Sequence, residues 1–180
     1  MLTSIQTLTY TMSKLFFPLF ISIFFAVGFG MLGYGINSAK KSVEVSNWPS
    51  VTGTITNMSL RESSDSDGTT YGVEVEYRYS VMGRTYTGSR LAFGYISSSG
   101  RQAHQDILNK LESASSVKVR YSPQNPATST LSFGIHRSIK FVLAFAITWL
   151  AFVFGFTLIW WIASQPDDVL LKNLEVTLKR

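Results

Sequence analysis

Cysteine is absent from the chain, which excludes a disulfide framework, a thiolate metal site and a cysteine nucleophile. Histidine occurs only at positions 104 and 136. Neither stands at metal-ligand spacing from a carboxylate cluster, so no metal site is spelled. A catalytic triad would have to use one of these two. The plainer reading makes His104 a helix-face residue and sets His136 among the polar groups beside Arg137 and Lys140. Basic runs are missing as well: the net charge of +5 comes from singly scattered lysines and arginines, which argues against nucleic acid as a partner. No residue is assigned to catalysis, to a cofactor or to a metal. The most telling absence is of charge of either sign over two long stretches, Leu15 to Ile36 and Phe141 to Ala163.

The first of these is 22 residues long, and thirteen of them are Leu, Ile, Phe or Val. As a helix it would cover about 33 Å, enough for a hydrocarbon core of roughly 30 Å. A cleavable signal peptide would have a shorter apolar core and a small-x-small site after it, whereas Asn37-Ser38-Ala39 has no small residue at the minus-three position. The stretch is therefore read as a retained span. Pro18 is expected in its first turn, where a missing amide hydrogen costs least. The second stretch ends in Trp160-Trp161, rings suited to the headgroup level. Neither span holds an Asp, Glu, Lys, Arg or His, the groups that ion pathways and proton relays use. Ser22, Ala26 and Gly30 recur every fourth residue, and Ala151 and Gly155 form a matching pair. Such bare faces predict close antiparallel packing of the two helices, with homo-oligomerisation as the alternative.

The chain divides into a tail at 1–14, a first transmembrane helix at 15–36, a β-rich extramembrane domain at 37–138, a second transmembrane helix at 139–164 and an amphipathic tail at 165–180. Leu2, Ile5, Leu8 and Met12 lie near helical spacing in the first tail, and Leu170, Leu171, Leu174 and Leu178 share a face in the last. Trp48-Pro49 ends the helical exit from the first span. A strand is expected over Val51 to Leu60, with Val51, Gly53, Ile55 and Asn57 on one face, followed by a loop, RESSDSDGTT. Val73, Val75, Tyr77 and Tyr79 then alternate with Glu74, Glu76, Arg78 and Ser80, the two-residue period of a half-buried strand. Met82-Gly83 turns it into a return strand bearing Tyr86 and Gly88. Ser99 and Gln102 suit a capping box for a helix over Arg101 to Ala114, with His104, Ile107, Leu108 and Leu111 on its packing face. Strands at Val117 to Tyr121 and Ser129 to Phe133 complete the domain.

A span, Trp48-Pro49 with Val51 and Gly53, a tyrosine-rich hairpin with Gly83, Tyr86 and Gly88, and VKVRYSPQNPATSTL before a second span together resemble the family called domain of unknown function 3592. The likeness covers about residues 20 to 165, and its most specific part is Val117, Val119, Tyr121, Pro123 and Pro126. The resemblance implies a mostly bacterial membrane protein with a small β-rich domain between two spans. It implies no activity, cofactor or catalytic residue. The fold expected is α+β, two transmembrane helices flanking an OB-like or SH3-like domain with one helix between strands three and four.

The prolines after Tyr121 are read as a rigid strand exit, with the Tyr121 ring packed and its hydroxyl reaching backbone. The alternative makes Tyr77, Tyr79, Tyr86 and Tyr121 a binding face. Ser38-Ala39-Lys40-Lys41 matches S-x-x-K by letters, but the partner motifs of Ser/Lys hydrolases are absent. Asp65-Ser66-Asp67-Gly68 lacks the later glutamate of a calcium loop and reads as a solvated turn. Lys40, Lys41, Arg137 and Lys140 flank the spans, where an anionic lipid bilayer is the economical partner, the equal alternative being that these charges merely keep the span ends in water. Counting positive charges near the span ends gives four on each side, so orientation rests on the resemblance, which sets the domain outside a bacterial plasma membrane. The function expected is that of a non-enzymatic binding or interaction module displayed at the membrane. An accessory subunit assembled through its helices is the alternative, and a hydrolase using Ser38 and Lys41 the remote one.

Overall fold

A computed structural model describes residues 2–175, with side chains from Phe16 onward. In chain order it contains α1 (Leu2–Glu44), a 3-10 turn (Val45–Asn47), β1 (Ser50–Asp65), β2 (Gly68–Val81), β3 (Arg84–Gly88), α2 (Arg101–Glu112), β4 (Val117–Tyr121), β5 (Ser129–Thr130), α3 (Arg137–Ala163) and α4 (Asp168–Asn173). The class is α+β: two long apolar helices with a five-stranded antiparallel sheet between them along the chain. Both helices are long and apolar enough to cross a membrane. One compact unit comprises α1 up to Gly30 and α3 from Ala146, and the other runs from Met31 to Phe145.

In the second unit the sheet order is β3-β2-β1-β4-β5. β2 follows its alternation: Val73, Val75, Tyr77, Tyr79 and Val81 are buried while the residues between them are exposed. Met82 and Gly83 both take positive φ, 49° and 77°, the geometry of a tight hairpin turn. β1 is longer than its apolar pattern predicts, because the expected loop over 61–70 is the continuing hairpin, turning at Ser66 and Asp67. Pairs such as Ser64 Oγ with Thr69 Oγ1 (2.9 Å) hold that extension, and polar pairs carry no hydrophobic alternation to announce a strand. The inward face of β1 also differs from expectation. A bulge between Ile55 and Asn57 resets the phase, so Met58 and Leu60 turn towards the core and Asn57 outwards.

The sheet is rolled. Past the edge strands, Leu131 N–H donates to Arg90 O (3.3 Å) and Ser132 N–H to Leu91 O (2.8 Å), while the Thr130 hydroxyl donates to Leu91 O (3.0 Å). The fully buried Tyr77 reaches the same seam, its hydroxyl 3.1 Å from both Arg90 O and Ser129 Oγ. A Cβ at Gly88 would stand 2.5 Å from the Tyr77 ring, which is why the strand carries glycine there. α2 covers the core with His104 and Leu108. The expected capping box is not formed: Gly100 is the N-cap, without a side-chain bond, and Gln102 instead donates to Asp106 one turn on (2.7 Å).

In the first unit the helices are antiparallel. Phe17 stacks on Trp160 with ring centres 3.9 Å apart, Phe24 lies over Trp149 at 5.8 Å, and Trp149 Nε1–H donates to Phe24 O (3.0 Å). The close approach is at Gly28, where a Cβ would meet Leu150 at 2.6 Å. The predicted small-residue faces are not the ones used. Ser22, Ala26, Gly30 and Ala151 are exposed, and nothing lies within 4 Å of a Cβ built at Gly30 or Gly155. Aromatic rings give more contact area than a bare stripe, so they take the seam and rotate that stripe away. Pro18 also differs, standing inside α1 rather than in a first turn, because the helix begins well before the apolar run. α4 ends at Asn173, with Leu170, Leu171 and Leu174 exposed. The expectation for Leu178, and those for the side chains of Leu2, Ile5, Leu8 and Met12, lie outside the described residues.

The geometry separates two glycines only two positions apart. Gly28→Val should weaken the helix pair by about 1–3 kcal/mol through overpacking, while Gly30→Val should leave the monomer within about 0.5 kcal/mol. Unfolding of the detergent-solubilised chain by titrated denaturing detergent checks the difference.

Candidate functional site

Trp48 and Pro49 join α1 to the sheet. Trp48 leaves the helical region (φ −71°, ψ 146°), as a residue before proline must, and Pro49 O then accepts from Tyr121 N–H (3.1 Å). Arg120 locks the junction, donating through Nη1 to Ser46 O (3.0 Å) and Trp48 O (2.8 Å). The 122–128 exit is held internally: Ser122 N–H donates to Thr128 O (2.9 Å), Thr128 N–H to Asn125 O (2.8 Å) and Ala127 N–H to Asn125 Oδ1 (3.2 Å). The hydroxyl expected to anchor this exit comes from elsewhere. Tyr79, not Tyr121, donates to Pro126 O, because β2 runs through the core and points Tyr79 at the turn.

Tyr77 and Tyr79 are 0% and 2% exposed, so they belong to the core and not to a binding face. Tyr86 is half-buried and stacks on Tyr79 with ring centres 5.7 Å apart, and Tyr121 is half-buried against the same core. Pro123 is exposed and Pro126 half-buried. Ser38 is buried beside Gly94, whereas Lys41 is exposed with Nζ 6.0 Å from the Phe93 ring centre. The sequence pair is thus not gathered into a cleft. Asp65 to Gly68 is an exposed turn, with Asp67 N–H donating to Asp65 Oδ1 (3.0 Å). Among the described residues, no three His, Asp or Glu side chains come together as a metal site.

What the fold does build is a cleft of about 760 Å³ between α2, the irregular segment 91–100, β4 with the chain after β5, and the first turn of α3. Its walls include Leu91, Ile107, Leu111, Val117, Leu131 and Phe141. Lys110, Lys118 and Arg137 also line it, and no Asp or Glu does. Small side chains, Ser97, Ser98, Ser99 and Gly100, leave the room. The segment is pinned at both flanks: Tyr71 and Ser98 exchange backbone bonds of 2.8 and 2.9 Å, and the His136 ring bonds Phe93 O through Nε2 (2.9 Å).

His104 sits in the cleft wall, 4% exposed, with both ring nitrogens engaged. Tyr95 Oη is 2.6 Å from Nδ1 and Ser98 Oγ is 2.8 Å from Nε2. We assign the tautomer from a third bond. Val73 N–H donates to Tyr95 Oη (2.8 Å), so the phenol accepts from the backbone and gives its own proton to Nδ1, leaving Nε2–H to donate to Ser98. Burial, followed by the nearby positive charge of Arg137, holds the His104 pKa below its ordinary value. Burial likewise raises Tyr95 above the usual phenol value, against the opposing Val73 hydrogen bond. The sequence reading found His104, Ile107 and Leu111 on one helix face but missed Tyr95 and Ser98. Their signal was the run of small residues before α2, too short to fill the space against a sheet.

Residues 51–136 match the model of a family described as Domain of unknown function (DUF3592). No curated protein and no solved structure matches the chain.

The His104 network predicts an acid-side loss of stability. Between the lowered folded pKa and the ordinary value near 6.5, the unfolded chain binds the proton and the folded one does not. Stability therefore falls as pH drops below about 6.5 and is flat above it. Protection against hydrogen exchange over residues 91–104, taken relative to the intrinsic rate at each pH, should fall in that window. His104→Leu should remove this slope and cost about 1–3 kcal/mol above pH 6.5 by stranding Tyr95 and Ser98, the difference narrowing as the native chain loses stability in acid.

Proposed function

We propose that this chain, a member of the DUF3592 family through its residues 51–136, is an integral membrane protein whose barrel binds a small ligand in the cleft beside α2 and does no chemistry on it. The rolled five-stranded sheet, with α2 between the third and fourth strands, supports the OB-like form over the SH3-like one. Large side chains such as Phe16, Phe20, Phe29, Phe152, Phe154 and Ile159 are exposed on α1 and α3, a surface that lipid covers without cost and water does not. A cluster of rings and cations in the second unit supports the same reading. Arg90 lies over the Phe93 ring at 4.4 Å and Arg120 over Phe133 at 4.3 Å, with Trp48 edge-on to Phe93, the mixture of rings and cations suited to headgroups. Lys40, Lys41, Arg137 and Lys140 add positive charge for an anionic bilayer. The family resemblance favours a bacterial plasma membrane, with both termini in the cytoplasm and the barrel outside.

The cleft is the single observation that carries the binding reading. Its volume of about 760 Å³ falls within the roughly 300–1,000 Å³ of small-molecule sites, and most of its wall area is apolar. An accessory-subunit role is the second reading, favoured by the uncovered stripe of Ser22, Ala26 and Gly30.

The absence of cysteine makes orientation simple to test. Ser66→Cys should react with a membrane-impermeant maleimide in intact cells, and Ser164→Cys only after permeabilisation. The reverse pattern inverts the topology, and labelling of a chain that is extracted by carbonate removes the membrane. Native mass spectrometry of the protein released from its own membranes tests the cleft. A small-molecule adduct should accompany the native chain and disappear in Ala103→Trp, which fills the cleft from α2. A bare native chain, or an adduct that survives the substitution, overturns the binding reading.

A further inference from the structure

The cleft joins two environments that few ligands satisfy together. The strongest polar groups of its interior are committed to one another. Tyr95, His104 and Ser98 bond one another, with the imidazole neutral, so their strongest donors and acceptors are spent. Leu91, Ile107, Leu111, Val117 and Leu131 supply a continuous apolar part of the wall, beside the small hydroxyls of Ser97, Ser99, Ser116, Ser132 and Ser138. The charged side chains of the lining are Lys110, Lys118 and Arg137, all exposed and without a lining carboxylate. The ion pair among the described residues, Arg61 with Glu74, lies elsewhere on the β1–β2 hairpin. A wholly apolar occupant would leave the three cations unanswered. A small inorganic anion would leave the apolar wall wet. An apolar body with a negative end answers both.

The position of the cleft narrows the occupant further. Arg137 and Phe141 both line it and are one helical turn apart on α3, so the change from cationic to apolar takes about 5.4 Å along the helix. That is the scale on which a headgroup gives way to an acyl chain. The first turn of α3 has no acidic residue, so the helix dipole adds to the positive potential where Arg137 stands. α3 is also one of the two helices long and apolar enough to cross a membrane. The lining therefore extends to the first residues of the proposed span.

We propose that the cleft takes a single-chain anionic amphiphile from the membrane, a fatty acid or a monoacyl phospholipid, with its carboxylate or phosphate held by Arg137, Lys110 and Lys118 and its chain against Ile107, Leu111 and Phe141. This rests on the reading of the cleft as a binding site.

The full chain in phosphatidylcholine nanodiscs, irradiated with a diazirine-bearing palmitate, tests it. Crosslinks should map to peptides within residues 91–141 and disappear in Ala103→Trp. Lysophosphatidylglycerol should compete, whereas monopalmitoylglycerol and inorganic phosphate should not. Arg137→Gln with Lys118→Gln, both exposed, should weaken labelling about tenfold while retaining the native unfolding profile. Equal competition by monopalmitoylglycerol overturns the anionic headgroup but leaves the cleft as a binding site. Competition by inorganic phosphate alone overturns the amphiphile. Crosslinks outside the cleft, or labelling unchanged in Ala103→Trp, overturn this proposal and the binding reading together.

Discussion

The rolled sheet depends on one buried hydroxyl. Tyr77 places its ring entirely inside the core and its oxygen between Arg90 O and Ser129 Oγ, at the line where the two open edges of the sheet approach. Burying a phenol without partners would cost several kcal/mol, so the ring can occupy the core only if the seam is closed around its oxygen. The backbone bonds of Leu131 and Ser132 to Arg90 and Leu91 then satisfy groups that an open sheet would leave bare. Burial raises the Tyr77 pKa, opposed first by the Ser129 bond, so the hydroxyl stays protonated and keeps its role as donor.

Closing the seam dictates where the chain goes next. After Leu91 it cannot continue as a strand, because β5 is short and its continuation turns towards α3. The segment 91–100 instead crosses from the seam to the edge of β2 that β3 leaves free, where Ser98 pairs with Tyr71 and the Tyr95 hydroxyl accepts from Val73 N–H. Val73 contributes its side chain to the core and its amide to a side chain outside the sheet ladder. This crossing holds α2 at a distance that serine and glycine cannot fill. The cleft follows from small side chains beneath a tethered crossing, not from a dedicated loop.

The parts legible in the sequence were those with a repeating physical signal. β2 announced itself because one face is core and the other water, and the apolar helices because charge is missing from them. The β1–β2 extension was read as a loop since its pairs are polar on both faces. The bulge at Thr56 shifted Met58 and Leu60 inwards with no turn residue to mark it. The small-residue stripe looked like a packing face because spacing alone cannot rank it against Phe17, Phe24 and Trp149, which bury more surface. The candidate site was least legible. Its lining comes from four separated stretches, and only His104, Ile107 and Leu111 shared a recognisable period.

The same tethering explains why a histidine, and not another polar residue, suits position 104. The wall there must accept a proton from Tyr95 on one side and donate one to Ser98 on the other, from a buried helix face. Neutral imidazole has one acceptor and one donor at fixed divergence from a rigid ring. Asparagine is shorter and glutamine loses more rotamer freedom when fixed. A protonated ring would present two donors, leaving the Tyr95 proton without an acceptor beside the charge of Arg137. The network thus holds the deep wall electrically neutral while the cations stay at the rim. That separation of charge from apolar wall is what a ligand with one charged end and one oily end would read.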